Sequence, residues 1–293
     1  MEQEIPFKTQ KYKFLFWEMI LCVLTFALGL YATNSLYLFL QETQTATPQI
    51  SVAWFLGYFF VGTIMILAVV MFLKRKKAKK GFYKTMFIIG NLYGTVAILP
   101  SFLALFLPII AANLLWLPIT IISFWMWFKK PTVIIHNFLM ILGLAGVSGN
   151  LGLQLNRPEL VAFLLAILAI YDFIAVYKTK HMVKMVESMI ESETIIGLII
   201  PFSEKQFLEP VPNSENRRNF VILGGGDVAI PLMLAASFIP QGWVKVLIVS
   251  VFALIGIALS FLIFFNQKEK EPVPALPAVS FFSLIGCLIA IIL

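Results

Sequence analysis

Charged and metal-binding side chains are scarce in this chain. Only 13% of its 293 residues are charged, and it holds 2 Cys and 2 His, whereas about a quarter of the residues in a soluble domain are charged. Cys22 and Cys287 lie far apart in apolar segments, which argues against a disulfide framework and leaves them as small apolar residues. His136 and His181 belong to no ligand cluster. We therefore expect them to be structural or solvated, and we expect no metal or organic cofactor.

Long apolar runs are the main feature of the sequence. The chain is 60% hydrophobic, its mean hydropathy is +0.92, and apolar stretches long enough to cross a bilayer recur along it. The sequence predicts an all-α polytopic protein of the cell membrane. The first run is too long for a cleavable signal, so we expect it to be retained. Nine transmembrane helices are predicted, over residues 14–40, 52–73, 85–105, 109–128, 132–154, 159–177, 219–239, 246–265 and 274–293.

Lysine and arginine are distributed unevenly between the two ends of these spans. With the N-terminus in the cytosol, 20 of the 22 Lys and Arg residues fall in cytosolic segments, and only Arg157 and Lys245 fall outside. The positive-inside rule therefore predicts a cytosolic N-terminus and an outside C-terminus. The same distribution assigns the basic residues to topology at a lipid surface, so we expect a lipid bilayer and no nucleic acid as partner. The sequence leaves oligomerisation open.

The predicted spans divide the chain into three parts. Residues 1–177 form an N-terminal membrane part, 178–218 a cytosolic loop, and 219–293 a C-terminal membrane part. The loop is mixed in charge and contains one apolar island, TIIGLIIPF, at 194–202.

Acidic residues inside a span are costly and tend to mark function. The only two aspartates of the chain, Asp172 and Asp227, are predicted in spans six and seven. At 1.5 Å per residue they lie about 9 Å and about 12 Å from the cytosolic boundary, and at this similar depth they could share a proton. Glu18 is expected near the inner end of span one, where it can extend toward water, and Glu159 at the outer mouth of span six.

The sequence VILGGGDVAI surrounds Asp227 with small residues. Gly224, Gly225 and Gly226 remove side chains beside the acid, so another backbone can approach. Pro231 has no N–H to bond the Asp227 carbonyl, which weakens the helix further. In a membrane such backbone is tolerated only where it is buried in protein or lines a wet cavity. We therefore predict an open, water-accessible pocket around this acid.

Two further features of the predicted spans are a proline-containing segment and a series of glycines. Span nine opens with Pro274, Ala275, Leu276 and Pro277 at the same membrane face as the acids. Proline is common in the first turn of a helix, which is one interpretation. The other is that the prolines leave unpaired backbone that could hold an extended peptide.

A glycine series in span five is the second feature, and three-residue spacing makes it drift around the helix. We expect only structural roles for its members, which are Gly143, Gly146, Gly149 and Gly152.

These motifs resemble those of the presenilin and signal peptide peptidase family of intramembrane aspartyl proteases. YD at Tyr171–Asp172, GxGD at Gly224–Asp227 and PAL at Pro274–Leu276 occur in that order on spans six, seven and nine. The run YDFIAVYKTKHM is most similar to the archaeal homologues. The first five spans add only topology to the match.

The resemblance implies a function and residues that perform it. The chain would hydrolyse peptide bonds within or near transmembrane helices of membrane proteins, with Asp172 and Asp227 as the catalytic pair and water as the nucleophile. Tyr171 would be a lid over the pair or a packing residue. The glycines beside Asp227 would shape the site, and substrate would dock at Pro274, Ala275, Leu276 and Pro277.

A substrate helix must unwind before it can be cut, because its peptide bonds are hidden in its own hydrogen-bond ladder. We expect the unwound segment to pair as a strand beside Pro274–Pro277, with backbone from the 194–202 island. A bulky charged residue at Leu276 is then expected to abolish cleavage and leave folding intact.

The alternative is a proton- or cation-coupled transporter or channel. Paired intramembrane acids and broken helices also occur in such proteins. Against this, the sequence shows no inverted repeat, and both acids are predicted near one face of the membrane instead of its midplane.

Overall fold

The computed structural model describes residues 7–45, 76–213, 219–267 and 273–293, together with Asn216 and isolated positions between 51 and 68. Most of these residues are helical. Two short strands form an antiparallel sheet beside the helices. The elements are α1 (Phe7–Glu42), α2 (Lys76–Leu103), α3 (Ile109–Lys129), α4 (Val133–Leu155), α5 (Pro158–Phe173), α6 (His181–Glu191), β1 (Gly197–Pro201), β2 (Phe220–Gly224), α7 (Gly225–Ala236), α8 (Trp243–Asn266) and α9 (Leu276–Ile292).

Six helices of the described chain are long and apolar enough to cross a membrane. They are α1, α2, α3, α4, α8, and α5 extended by a π-helical turn at Ile174–Lys178. They coincide with predicted spans one, three, four, five, eight and six. The predicted second span, 52–73, lies largely outside the described residues. The helices within predicted spans seven and nine are shorter, with 12 residues in α7 and 17 in α9.

The prediction of one helix over 219–239 is wrong in its first third. Residues Phe220–Gly224 form β2, which pairs antiparallel with β1 from the cytosolic loop, and the helix begins only at Gly225. Val221 and Ile222 are β-branched and favour extended backbone, and the glycines after them are poor helix formers. The apolar run is therefore a strand followed by a short helix, and the chain is not purely helical.

The centre of the bundle is α4, the most buried of the six long helices. Its glycines face three different helices, as their drifting spacing predicts. Gly143 and Gly146 lie against α2 at Asn91 and Gly94, Gly149 lies against Thr33 of α1, and Gly152 lies against Met233 of α7. A Cβ at Gly146 would sit 2.6 Å from the Gly94 Cα. Without side chains the backbones approach closely, which is how helices pack in membranes.

Replacing Gly94 with alanine is expected to destabilise the protein. The new methyl group would collide with the backbone of Gly143, which cannot move like a side chain, and overpacking of this kind costs about 1–3 kcal/mol. Gly90, one turn earlier on α2, has open space around its Cα. Gly90→Ala is therefore the matched control, and we expect it to be neutral or slightly stabilising. Thermal unfolding of the purified variants measures both, and equal unfolding temperatures would contradict this account of the contact.

Candidate active site

Asp172 lies at the end of α5, just before the π-helical turn. Its side chain is buried, with 6% exposure. Its Oδ2 accepts a hydrogen bond of 3.3 Å from the backbone N–H of Leu276. This N–H is free because it belongs to the first turn of α9, where helical partners are absent. A buried carboxyl group needs such a donor, and the start of α9 supplies it.

Asp227 lies in the first turn of α7 rather than in the middle of a helix. Gly224 is the N-cap of α7, which makes Asp227 the third residue of the helix. Backbone N–H groups at a helix N-terminus have no intrahelical acceptors, and the helix dipole there favours negative charge. The strand-to-helix junction therefore gives this acid an environment that the interior of a continuous helix would not.

The two aspartates come together in the fold. Helices α5, α7 and α9 pack against one another, and the two carboxyl groups lie close enough to interact electrostatically. Two such groups in a low-dielectric interior cannot both ionise easily, so one keeps its proton. The arrangement supplies one proton acceptor and one proton donor side by side. Such a pair can activate a water molecule and polarise a carbonyl group at the same time.

The three glycines before Asp227 differ in the space around them. A Cβ at Gly224 would lie 2.8 Å from Asp227 Oδ2, so only glycine leaves the carboxylate where it is. A Cβ at Gly225 would lie 3.2 Å from the Leu144 side chain. Gly226 is exposed and has open space around it. Space for a side chain is therefore present at Gly226, whereas Gly224 lies against the Asp227 carboxylate.

The segment Pro274–Pro277 adjoins the site through its backbone. Pro277 lies in the first turn of α9, as the simpler interpretation predicted, yet the preceding N–H of Leu276 still reaches Asp172. Leu276 is 6% exposed, and its side chain belongs to the hydrophobic core. The expectation that a charged residue at Leu276 leaves folding intact is therefore wrong, because the charge would be buried in apolar surroundings.

Tyr171, next to Asp172, is held by a histidine that we expected to be structural or solvated. The Tyr171 hydroxyl and His181 Nε2 are 2.7 Å apart, and His181 Nδ1 is 2.7 Å from the Thr179 hydroxyl. Both ring nitrogens are thus engaged, and His181 ties the start of α6 to the residue beside the acid. Sequence reasoning missed this contact because the residues are joined through an irregular π-helical turn, where helical spacing does not apply.

Glu18 is the acid that sequence reasoning placed wrongly. It is 2% exposed, so it does not extend toward water. Within the described residues its Oε2 has no hydrogen-bond partner, and the carboxyl group interacts electrostatically with Asp227. The burial of Glu18 could have been predicted from the helical spacing of apolar residues on α1. Phe14 and Cys22, one turn before and after Glu18, are completely buried and mark the same face of α1.

The apolar island of the cytosolic loop forms β1, and both edges of this strand are occupied. One edge pairs with β2. On the other, the Asn137 side chain donates to the Ile199 carbonyl at 2.6 Å and accepts from the Ile199 N–H at 2.8 Å. Extended peptide therefore has no free edge on β1, contrary to our expectation for the 194–202 island. In the described part of the chain, no three His, Cys, Asp or Glu side chains gather as metal ligands.

Comparison with known proteins gives one family and one fold. A family model described as signal-peptide peptidase, presenilin aspartyl protease matches residues 19–293. A presenilin family intramembrane aspartate protease solved in space group C222 aligns with a TM-score of 0.56 and 22% identity, covering 98% of this chain and 99% of its own. A structure with the same description in space group P2 gives 0.55 and 20%, covering 94% and 96%. At such identities the structural likeness shows the fold alone. No curated protein matches the chain.

Replacing Gly224 with alanine is expected to slow turnover without unfolding the protein. The added methyl group would displace the Asp227 carboxylate, and displacement of an acid that acts in hydrolysis reduces the rate about tenfold or more. The measurement is kcat for peptide-bond hydrolysis, with thermal unfolding recorded in parallel. Gly226→Ala tests the structural part, because its methyl group meets open space and should leave the unfolding temperature unchanged. A Gly224→Ala enzyme with the parent's kcat would show that the carboxylate tolerates the methyl group.

Replacing Glu18 with leucine is expected to stabilise the protein. A buried carboxyl oxygen without a partner costs about 1–3 kcal/mol, and leucine has a similar volume without that cost. Thermal unfolding in detergent measures the change. Glu42→Leu, at the exposed end of the same helix, is the control and should have little effect. A lower unfolding temperature for Glu18→Leu would mean that the buried carboxyl group makes a stabilising contact.

Proposed function

The chain belongs to the signal-peptide peptidase, presenilin aspartyl protease family, and from this premise we propose that Asp172 and Asp227 are its catalytic pair. The protein is an intramembrane aspartyl protease and a multi-pass integral membrane protein that acts on membrane-embedded protein substrates. One observation carries the assignment of the pair. The chain has only two aspartates, they lie on helices α5 and α7, which pack against each other, and their carboxyl groups interact electrostatically.

The proposed chemistry needs only water and the two carboxyl groups. The ionised carboxylate takes a proton from water, and the water oxygen attacks the carbonyl carbon of the scissile bond. The protonated carboxyl group gives its proton to the carbonyl oxygen. When the resulting gem-diol collapses, the C–N bond breaks, the amine nitrogen takes the proton that the first carboxyl group received from water, and one gem-diol hydroxyl gives its proton to the second carboxylate, which restores the pair. The pair titrates as a unit, so the acid and base roles belong to the two aspartates together.

The outer edge of β2 is the proposed docking place for the unwound substrate. Because both the N–H and the C=O of Ile199 face Asn137, its partner Ile222 must also point its N–H and C=O away from β1. The described sheet has two strands, so no third strand from the described residues pairs with this edge. It runs directly into Gly224 and Asp227, and an extended peptide added there would reach the pair.

The remaining site residues are assigned supporting roles in this proposal. Tyr171 closes over the pair from α5, held by His181. Gly224, Gly225 and Gly226 shape the approach to Asp227. Substrate backbone passes beside Pro274, Ala275, Leu276 and Pro277, and the Leu276 N–H orients the Asp172 carboxylate.

We extend the proposal to nine spans with a cytosolic N-terminus and an outside C-terminus, divided at 1–177, 178–218 and 219–293. Two contacts support it, since each joins segments assigned to the cytosolic side. Lys11 Nζ donates to Asn266 Oδ1 at 2.7 Å, and Lys80 forms an ion pair with Glu193 at 2.9 Å. The strand β2 and the short helix α7 together take the place of span seven.

Replacing either aspartate with asparagine is expected to abolish cleavage while the fold survives. Asparagine cannot exchange the required proton, so activity should fall at least about 10³-fold. Its amide oxygen can still accept from the Leu276 N–H at position 172, which should preserve the packing of α5 on α9. The parent, Asp172→Asn and Asp227→Asn proteins are reconstituted in liposomes with a single-span substrate, and products are identified by mass.

The matched control is Glu159→Gln, which neutralises an exposed acid at the other end of α5. It should cut the substrate at the parent's rate and positions. Cleavage at the parent's rate by Asp172→Asn or Asp227→Asn would remove that residue from the catalytic pair.

A further inference from the structure

We infer that His136 and Asn137, at the start of α4, act as a built-in third strand that closes the outer edge of β1 and so fixes the position of Asp227. The two are positioning residues, because they reach the acid through the sheet without touching it. This inference rests on the proposed catalytic role of Asp227. It assigns a function to a pair of buried polar side chains that the proposed chemistry does not use.

The Asn137 carboxamide imitates a peptide group. It offers one donor and one acceptor, the same pair that a residue of a neighbouring strand presents. Both bonds go to Ile199, at 2.6 Å and 2.8 Å, and both are buried. Aspartate would lack the donor when ionised, and an aliphatic side chain would lack both groups and leave the Ile199 backbone unpaired. The interaction is therefore specific to a side-chain amide at this position.

His136 extends the same edge by one more pairing. Its Nε2 donates to the Gly197 carbonyl at 3.2 Å, and the ring is fully buried. The ring also stacks on Phe87, with centroids 5.0 Å apart, and Phe87 stacks on Trp127 at 4.4 Å. Gly197 and Ile199 are two residues apart, so their backbone groups face the same edge of the strand. Neighbouring side chains on α4 thus hold two successive outward-facing positions of β1.

The contacts of His136 and Asn137 with β1, called the anchor below, are connected to Asp227 through the sheet. Gly197 pairs with Gly224 and Ile199 with Ile222, and the Gly225 N–H donates to the Ile196 carbonyl at 3.3 Å. Gly224 is the residue whose Cα lies against the Asp227 carboxylate. A shift of β1 along or away from α4 would therefore move the point at which α7 begins. The anchor therefore connects Asp227 to α4, the most buried of the six long helices of the described chain.

Two consequences follow for catalysis. A two-stranded sheet is marginally stable alone, so the anchor lets β1 and β2 form before substrate arrives. It also leaves the sheet open to extension at β2 only, which sets one register between the substrate and the aspartates. Without the anchor, substrate should still bind, but the scissile bond should no longer face the pair at a single position.

The test uses Asn137→Leu in the full-length protein, reconstituted with the single-span substrate. Leucine is close in volume and removes both hydrogen bonds. We expect kcat/KM to fall about tenfold, mainly through kcat, and cleavage to spread over neighbouring peptide bonds. Asn137→Gln keeps both polar groups on a longer side chain and should restore part of the rate and of the parent's cleavage pattern.

Asn91→Leu is the matched control. Asn91 is also buried, but it donates to the Phe87 carbonyl of its own helix at 2.7 Å and to Met140 Sδ of α4 at 3.7 Å, and neither of these hydrogen bonds goes to the sheet. Both leucine variants lose a buried asparagine, so both should change the unfolding temperature. Only Asn137→Leu should change the positions of cleavage. If Asn137→Leu does not purify as a folded protein, Asn137→Ser, which keeps one polar group, is judged by the same criteria.

The outcomes separate this inference from the proposed function. Cleavage by Asn137→Leu at the parent's kcat/KM and positions, or an equal spread of positions in Asn91→Leu, would overturn the positioning role. An Asp227→Asn protein that still cuts substrate would instead overturn the catalytic pair. In that case the cleavage positions of the Asn137 variants would no longer report on Asp227.

Discussion

Two carboxyl groups must sit side by side in an apolar interior, and much of this structure can be understood from that constraint. Neither group can be left without partners, because an isolated buried charge is costly. Each is therefore placed where backbone hydrogen-bonding groups are free. Asp172 meets the first turn of α9, and Asp227 lies in the first turn of α7. The interruptions in spans seven and nine are the means by which the acids are accommodated.

Interruptions of this kind create a second problem, because free backbone groups need partners in a membrane. The extended segment before Asp227 solves it by pairing β2 with β1, and the outer edge of β1 is satisfied by side chains of α4. The remaining edge, that of β2, is the one an unwound substrate would need. Accommodating the acid and presenting an edge for substrate are then two results of the same local structure.

Close helix packing surrounds this site. The glycines of α4 let α1, α2 and α7 approach the central helix from different sides, so that the helix carrying His136 and Asn137 has little freedom to move. Several buried polar atoms lack a hydrogen-bond partner among the described residues, and Oε2 of Glu18 is one of them. The buried carboxyl group of Glu18 interacts electrostatically with Asp227, and a costly buried group is typical of functional sites, where enzymes give up stability.

The sequence by itself determined the helical membrane class, most of the long spans, the two aspartates and the packing role of the α4 glycines. These features depend on local hydropathy, on residue counts and on the period of the helix. Only the tertiary structure decided that residues 220–224 are a strand, since a short apolar run is compatible with helix or strand until its partner is known. It also decided that Leu276 contacts Asp172 with its backbone, that His181 holds Tyr171 and that Asn137 binds Ile199. Each of these contacts joins residues whose spacing in the chain follows no period, so only the fold could bring them together.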